Sequence, residues 1–128
     1  MIDHVSIGVT DLEVSAAFYD AALGALGMRR FRELPTTIGY GYDRATFWIG
    51  ASEQSDFSPG RGFHVGFAAT TKEAVDAFHA AALTHGGRDA GAPGPRPMYG
   101  PDYYGAFVFD PTGAKVEAVC RTDSPLVP

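Results

Sequence analysis

The sequence predicts an α+β fold of two tandem βαβββ modules, which form a curved mixed sheet around a cleft with the helices outside. Three observations predict this fold. Residues 3–23 recur without a gap, shifted by sixty residues, at positions 63–83. Each copy joins an apolar strand pattern to an amphipathic helix pattern. Each helix pattern is followed by three strand-like segments.

The repeat rests on matches that a high alanine content does not explain. The shift superimposes a histidine, a phenylalanine, a leucine and a glycine in each copy: His4 on His64, Phe18 on Phe78, Leu23 on Leu83 and Gly27 on Gly87. The period is longer than that of solenoid repeats and there are only two copies, so two packed modules are expected. We therefore divide one domain, residues 1–128, into module one (1–50), a polar linker (51–62) and module two (63–122).

Module one begins with the strand pattern "HVSIGV" at His4. Asp11 is a good N-cap for the helix that follows, and Gly27 is a good stop for it. Three strands are then expected at residues 28–33, 38–42 and 45–49.

Module two repeats this order, starting with "HVGFAA" at His64. Thr70 or Thr71 caps its helix, and Gly86 and Gly87 end it. Its later strands are expected near residues 88–90, at 104–109 and at Lys115–Arg121, with the "DPTG" turn before the last of them. Residues 91–105 are rich in Pro, Gly and Tyr and predict a long loop of functional importance.

Composition excludes several classes of protein. The 128 residues carry a formal net charge of −5 with no cluster of Lys and Arg, so neither nucleic acid nor an anionic membrane is an expected partner. The single cysteine allows no internal disulfide, which fits a cytoplasmic location. No apolar run is long enough to span a membrane, and the N-terminus leads directly into a strand, so no signal peptide is expected.

Three ionisable side chains lie within apolar strand patterns: His4, His64 and Glu117. Within the strand Lys115–Arg121, Glu117 shares a face with Lys115 and Val119, while Val116, Ala118 and Cys120 take the other face. One face packs on the helices, so the face of Glu117 can line a cleft. Two imidazoles and a carboxylate from three strands are a ligand set that suits Fe(II), Mn(II) or other divalent ions. Each residue also has an ordinary structural interpretation, either a hydrogen bond at a sheet end or a solvent-facing ion pair.

The chain resembles the vicinal oxygen chelate superfamily, which includes glyoxalase I, extradiol dioxygenases, fosfomycin-resistance transferases and bleomycin-resistance proteins. The resemblance is carried by "DHVSIGV", "FHVGFA" and "YGAFVFDPTGAKVEAVC", and it covers nearly the whole chain. It implies paired βαβββ modules, frequent homodimers, and a divalent ion (Fe, Mn, Ni or Zn) held by His4, His64 and Glu117. At a fourth ligand position, where glyoxalase I has an acidic residue, this chain has Phe47 or Trp48. That difference favours a three-ligand site.

The expected cleft wall is largely aromatic. Its candidate substrate-binding residues are Phe47, Trp48, Arg96, Tyr99, Tyr103 and Tyr104. Such a wall suits a small planar or apolar substrate with an anionic or carbonyl group. Tyr103 and Glu117 are the candidate catalytic residues, since a tyrosine hydroxyl can donate a hydrogen bond to a developing anion. An alternative interpretation of Tyr103 and Tyr104 is that they anchor the core and the loop.

Two functions remain open from the sequence. The first, which we favour, is a metal-dependent lyase, isomerase or dioxygenase that chelates a small oxygen-bearing substrate and forms an enolate-like intermediate. The second is a metal-free drug-binding protein of the bleomycin-resistance type. In both cases the partners are a small molecule and a second copy of the chain.

Overall fold

The computed structural model describes residues 1–52 and 58–121. The elements in chain order are β1 (Val5–Val9), α1 (Leu12–Gly24), β2 (Arg29–Glu33), β3 (Thr37–Gly41), β4 (Phe47–Ala51), β5 (His64–Ala68), α2 (Lys72–Thr84), β6 (Arg88–Pro95), a 3₁₀ turn (Pro97–Tyr99), β7 (Tyr103–Phe109) and β8 (Lys115–Arg121). This order is βαβββ twice, so the predicted duplication is confirmed. The linker at 51–62 and the end of module two at residue 122 lie partly outside the described residues.

The two modules have the same sheet topology. The described strands form two four-stranded sheets, ordered β1-β4-β3-β2 and β5-β8-β7-β6. In each sheet the first strand is parallel to the fourth, and the other neighbours are antiparallel. The last strand of each module therefore lies between its first and third strands, where it is paired on both edges.

Both helices begin at the capping residues that the sequence predicts. The carboxylate of Asp11 accepts a hydrogen bond from the Val14 amide, and the Thr71 hydroxyl accepts one from the Ala74 amide, each at 3.0 Å. Gly27 and Gly86 follow the helices with φ of 94° and 95°, a backbone conformation that favours glycine. Each helix has 13 residues, and within the described ranges none is long and apolar enough to cross a membrane.

The core is one hydrophobic cluster that draws residues from both modules. Each helix covers its own sheet, and α1 also packs against α2. The rings of Phe47 and Phe67 meet edge to face, with centroids 5.0 Å apart. The buried hydroxyl of Tyr19 on α1 donates a hydrogen bond of 2.7 Å to Asp110, which precedes β8. Apolar packing and a buried hydrogen bond thus join the two modules.

Strand β6 is longer than the sequence suggested. The expected short strand near residues 88–90 continues to Pro95, and the expected loop therefore begins later. The pairing of β6 with β7 shifts register between Asp89 and Gly91 and again between Gly91 and Gly94. Because β6 is an edge strand with such irregularities, it accommodates proline and glycine that a central strand would not.

Candidate functional site

A cleft of about 600 Å³ opens on one face of the second sheet. Its lining residues all belong to module two: His64, Ala90, Gly91, Arg96, Tyr99, Tyr103, Phe107, Lys115, Glu117 and Arg121. The volume is in the range of small-molecule sites.

Glu117 lies at the centre of this lining and is only 3% exposed. It projects from the middle of β8, and side chains alternate between the two faces of a strand. Lys115, Glu117 and Arg121 line the cleft, whereas Val116 and Ala118 are buried in the hydrophobic core. The predicted orientation of β8 is confirmed, and it places an ionisable group where burial is costly without partners.

Two glycines make room for the Glu117 carboxylate. A Cβ atom at Gly66 on β5 would lie 3.2 Å from Oε1, and a Cβ atom at Gly105 on β7 would lie 3.0 Å from Oε2. These neighbouring strands would press on the carboxylate if they carried any side chain at these positions. The two glycines therefore form a slot for Glu117 between β5 and β7.

Each oxygen of Glu117 has a separate neighbour. His64 Nε2 lies 3.5 Å from Oε1, and the Tyr103 hydroxyl donates a short hydrogen bond to Oε2. Burial raises the pKa of Tyr103 well above its usual value, and the adjacent Glu117 raises it further. Tyr103 is therefore a hydrogen-bond donor at neutral pH. Since the His64 side chain is 47% exposed, the imidazole is accessible from the cleft, which Glu117 also lines.

His4 lies outside this cleft. Its Nδ1 atom is 2.8 Å from the carboxylate of Asp3, and its side chain is 55% exposed. Across residues 1–52 and 58–121, no three His, Cys, Asp or Glu side chains are close enough together to hold a metal ion. One chain thus brings together two of the three predicted metal ligands, His64 and Glu117.

The strand registers show which residue of module one corresponds to Glu117. Glu117 pairs with Gly66, two residues after His64, and Trp48 pairs with Ser6, two residues after His4. Trp48 therefore occupies the position of the carboxylate. Its indole lies against Gly39, where a Cβ atom would be 2.9 Å from the ring. It lines a separate groove on the first sheet with Ser6 and Thr37.

The other predicted wall residues divide between the cleft and the rest of the fold. Arg96, Tyr99 and Tyr103 line the cleft, and the Tyr99 and Tyr103 rings meet edge to face at 5.3 Å. Tyr104 points to the helix side of β7, where its hydroxyl donates to Asp76 at 2.7 Å. Phe47 is 2% exposed and packs in the aromatic core. Neither Tyr104 nor Phe47 lines the cleft, because strand alternation turns both towards the helices.

Five lining residues were not among the predicted site residues: Ala90, Gly91, Phe107, Lys115 and Arg121. Phe107 pairs directly with Glu117 across β7 and β8, and the rings of Phe107 and His64 are 6.1 Å apart. Lys115 and Arg121 lie an even number of residues from Glu117 along β8. The same alternation that oriented Glu117 was therefore a signal for both of them.

Comparisons with known proteins agree with this geometry. Residues 1–118 match the family model described as Glyoxalase/Bleomycin resistance protein/Dioxygenase superfamily. The chain is similar to a glyoxalase/bleomycin resistance protein from Albidiferax ferrireducens T118, with 39% identity and a TM-score of 0.84 over 93% of this chain and 98% of that one. No curated protein shows significant similarity to it.

Two further solved structures share the fold. One is a glyoxalase/bleomycin resistance protein/dioxygenase family enzyme from Burkholderia phytofirmans PsJN, with 23% identity and a TM-score of 0.72 over 94% of this chain and 98% of that one. The other is a V278E glyoxalase I mutant from Zea mays, with 28% identity and a TM-score of 0.72 over 94% of this chain and 46% of that longer one. The match over residues 1–118 and the duplicated βαβββ fold show that the chain belongs to the glyoxalase/bleomycin resistance protein/dioxygenase superfamily.

Proposed function

We propose that the protein is a metal-dependent enzyme that acts on a small oxygen-bearing substrate in the module-two cleft. The observation that carries the proposal is Glu117, a 3%-exposed glutamate in a glycine slot with one oxygen facing His64. A glutamate that only stabilised the fold would not need an accessible imidazole beside it. Buried carboxylates are costly, and coordination of a cation is one way to compensate that cost.

The donor atoms suit one divalent ion. Two ligand atoms about 2.1 Å from an ion, in adjacent coordination positions, lie roughly 3.0 to 3.4 Å apart. His64 Nε2 and Glu117 Oε1 are 3.5 Å apart, close to this range. Tyr103 engages the other carboxylate oxygen, which orients Oε1 towards the imidazole. An imidazole and a carboxylate suit Fe, Mn, Ni or Zn.

The third ligand in this proposal is His4 of a second copy of the chain. His4 is accessible, and it occupies in module one the position that His64 occupies in module two. The first sheet also has an open groove lined by Ser6, Thr37 and Trp48, which a second copy could cover. A two-fold dimer would pair module one of each chain with module two of the other, giving two identical sites.

The roles of the residues follow from their contacts. His64, Glu117 and the partner's His4 would hold an ion that polarises substrate oxygens as a Lewis acid. Tyr103 keeps its proton at neutral pH and fixes the Glu117 carboxylate. The rings of Tyr99, Tyr103 and Phe107 form an aromatic wall beside this centre.

The first test is elemental analysis of protein purified without chelators. We expect about one divalent ion per chain, and its loss from His4→Ala, His64→Ala and Glu117→Gln. His85→Ala is the matched control, because His85 is exposed at the end of α2 and binds its own helix at Ala81. Full metal content in His64→Ala or Glu117→Gln, or a wild type that takes up no added ion, would contradict the proposal.

A mixing experiment tests whether the site is shared. His4→Ala and Glu117→Gln chains are unfolded together and refolded at equal concentrations. Half of the dimers should then contain one chain of each variant. Each such dimer has one intact site of two, so about a quarter of the wild-type metal content should return. Mixing His64→Ala with Glu117→Gln should restore none, because both changes lie in module two. No recovery in the first mixture would place His4 outside a shared site.

Metal-free binding of a small molecule is the second candidate function. The observation that favours it is that the described part of one chain brings together only two of the three predicted ligands, His64 and Glu117. The metal analysis separates the two functions, because a binding protein of this kind would take up no metal and would keep its ligand affinity after treatment with a chelator.

A further inference from the structure

The charge of the cleft is opposite to that of the chain. The chain has a formal net charge of −5. The cleft lining contains three permanent cations, Arg96, Lys115 and Arg121, and a single carboxylate, that of Glu117. Within the part of the chain that the structure describes, none of these cations forms an ion pair with an acidic side chain. Their charge is thus available to a ligand.

Arg96 is held in place by neutral groups of β6. Its Nη1 donates to the Gly94 carbonyl at 3.0 Å, and its Nη2 donates to the Ala92 carbonyl at 2.7 Å. A Cβ atom at Gly91 or at Gly94 would approach these nitrogens to 3.3 Å. The register shifts and glycines of β6 therefore leave a space that the Arg96 guanidinium fills. Carbonyl partners orient it without neutralising its charge, which is an arrangement suited to binding an anion.

The cations surround an aromatic surface. The Arg96 guanidinium lies 5.8 Å and the Lys115 ammonium 4.9 Å from the centroid of the Phe107 ring. The Arg121 guanidinium lies 4.7 Å from the centroid of the Tyr103 ring. A ligand in this cleft would meet both positive charge and aromatic rings.

We infer that the substrate of this cleft is a small planar or aromatic anion, whose carboxylate or phosphonate group is bound by Arg96, in a cleft whose other two cations are Lys115 and Arg121. This inference rests on the proposed function, since it names the substrate class of the same site. The acid group bound by Arg96 is separate from the oxygens that would meet His64 and Glu117. The two parts of the cleft select different features of one molecule.

Calorimetric titration of the full chain, as purified and after chelator treatment, tests the inference. The probes are benzoate, phenylphosphonate and the neutral isostere benzamide. Both anions should bind at least about tenfold more tightly than benzamide, and Arg96→Gln should abolish that difference. The tighter of the two anions identifies the acid group. Arg96→Lys keeps the charge but loses the planar fork, so its affinity should lie between those of wild type and Arg96→Gln.

Arg88→Gln is the matched control. Arg88 begins β6, the strand that ends just before Arg96, and it lies over the ring of Phe109. It does not line the cleft, so the anion affinity of Arg88→Gln should equal that of wild type. Equal binding of benzamide and both anions, equal losses in Arg96→Gln and Arg88→Gln, or no anion binding at millimolar concentration would overturn the inference. A metal-free protein with Arg96-dependent anion binding would overturn only the metal proposal, and a metal-bound protein without anion preference would overturn only this one.

Discussion

At the scale of single residues, Glu117 fits into its slot because two neighbouring residues have no side chain. Gly66 and Gly105 carry no side chain where the carboxylate lies, and both would contact it if they did. Packed interiors do not yield easily to an added methyl group. The position of Glu117 should therefore depend on glycine at these two sites as much as on its own hydrogen bond.

We expect Gly105→Ala to disturb the site directly. The new methyl group would lie 3.0 Å from Glu117 Oε2 and 3.1 Å from a ring carbon of Tyr103, so one of these side chains must move. The free energy of unfolding should fall by about 1 to 3 kcal/mol. The metal content and the affinity for metal should also fall. Chemical denaturation measures the stability, and elemental analysis of the same sample measures the metal.

Gly24→Ala serves as the control for that substitution. Gly24 is the last residue of α1 and has no neighbour within 4 Å of an added Cβ atom. Its replacement should leave metal content unchanged, and stability should stay constant or rise by up to about 1 kcal/mol. Equal behaviour of the two variants would show that the slot does not constrain Glu117.

The sequence predicted which face of β8 carries Glu117, but it did not predict the two glycines that make room for the carboxylate. Alternation within β8 is local, so the face shared by Lys115 and Glu117 follows from their spacing. The glycines lie on other strands, and their contact with Glu117 depends on the register between β5, β8 and β7, which no local pattern specifies. For the same reason the sequence could not decide between Phe47 and Trp48. The register decides it, because Trp48 aligns with Glu117 and Phe47 with Val116.

At the scale of elements, β6 shows how composition can conceal a strand. Proline and glycine indicate turns in most contexts, and they led to the expectation of a loop from residue 91. The strand is nevertheless paired to Pro95, because it is an edge strand with shifted register. The helices and central strands were predictable, since capping residues and apolar periodicity act locally. The extent of an irregular edge strand such as β6 depends instead on its pairing with the neighbouring strand, β7.

Gly91→Ala should weaken anion binding through the backbone of β6. Gly91 has φ of 156°, and an added Cβ atom would approach a Phe107 ring carbon to 3.2 Å and Arg96 Nη2 to 3.3 Å. The substitution should lower the affinity for phenylphosphonate about tenfold or more while leaving the charge of the cleft unchanged. Calorimetry against Ala92→Ser, an exposed position whose carbonyl is retained, provides the comparison. Unchanged affinity in Gly91→Ala would show that anion binding does not depend on the space around the Arg96 guanidinium.

At the scale of the whole molecule, the contact between modules contains a buried tyrosine. Tyr19 is fully buried and donates to Asp110, whose other oxygen accepts hydrogen bonds from the amides of Thr112, Gly113 and Ala114. Tyr19→Phe removes the donor and leaves a buried carboxylate oxygen without it. The free energy of unfolding should fall by about 1 to 3 kcal/mol at pH 8, measured by urea denaturation.

The same tyrosine should make the fold sensitive to alkali. Burial, and then Asp110, raises the pKa of Tyr19 well above the value of about 10 in the unfolded chain. The folded protein thus holds this proton more tightly, and the resulting stability is present below pH 10 and is lost as pH rises towards the folded pKa. Between pH 9 and pH 11 the stability of Tyr19→Phe should fall less steeply than that of wild type. Tyr99→Phe, at an exposed position, should keep the wild-type slope, and parallel slopes in all three proteins would contradict the expectation.

The single tryptophan can report on the proposed dimer. Trp48 lies in the open groove of the first sheet, which a second copy would cover. Dilution from about 50 μM to about 50 nM should shift its emission to longer wavelength as the dimer dissociates. Bound metal should be released over the same range, since each site needs both chains. An unchanged spectrum in samples that sedimentation shows to be monomeric throughout would contradict a covered groove.

The cationic lining of the cleft also has a kinetic consequence. A protein with a net charge of −5 repels anions at long range, yet an anion that reaches the opening meets three cations and one carboxylate. Low-dielectric walls focus such a local field and guide encounter to the opening. Once the ionic strength is high enough to screen the long-range repulsion, capture of an anionic ligand should therefore become slower as ionic strength rises further, whereas entry of a neutral isostere should not change. The rate of binding, and not only the final affinity, would then differ between an anionic ligand and its neutral isostere.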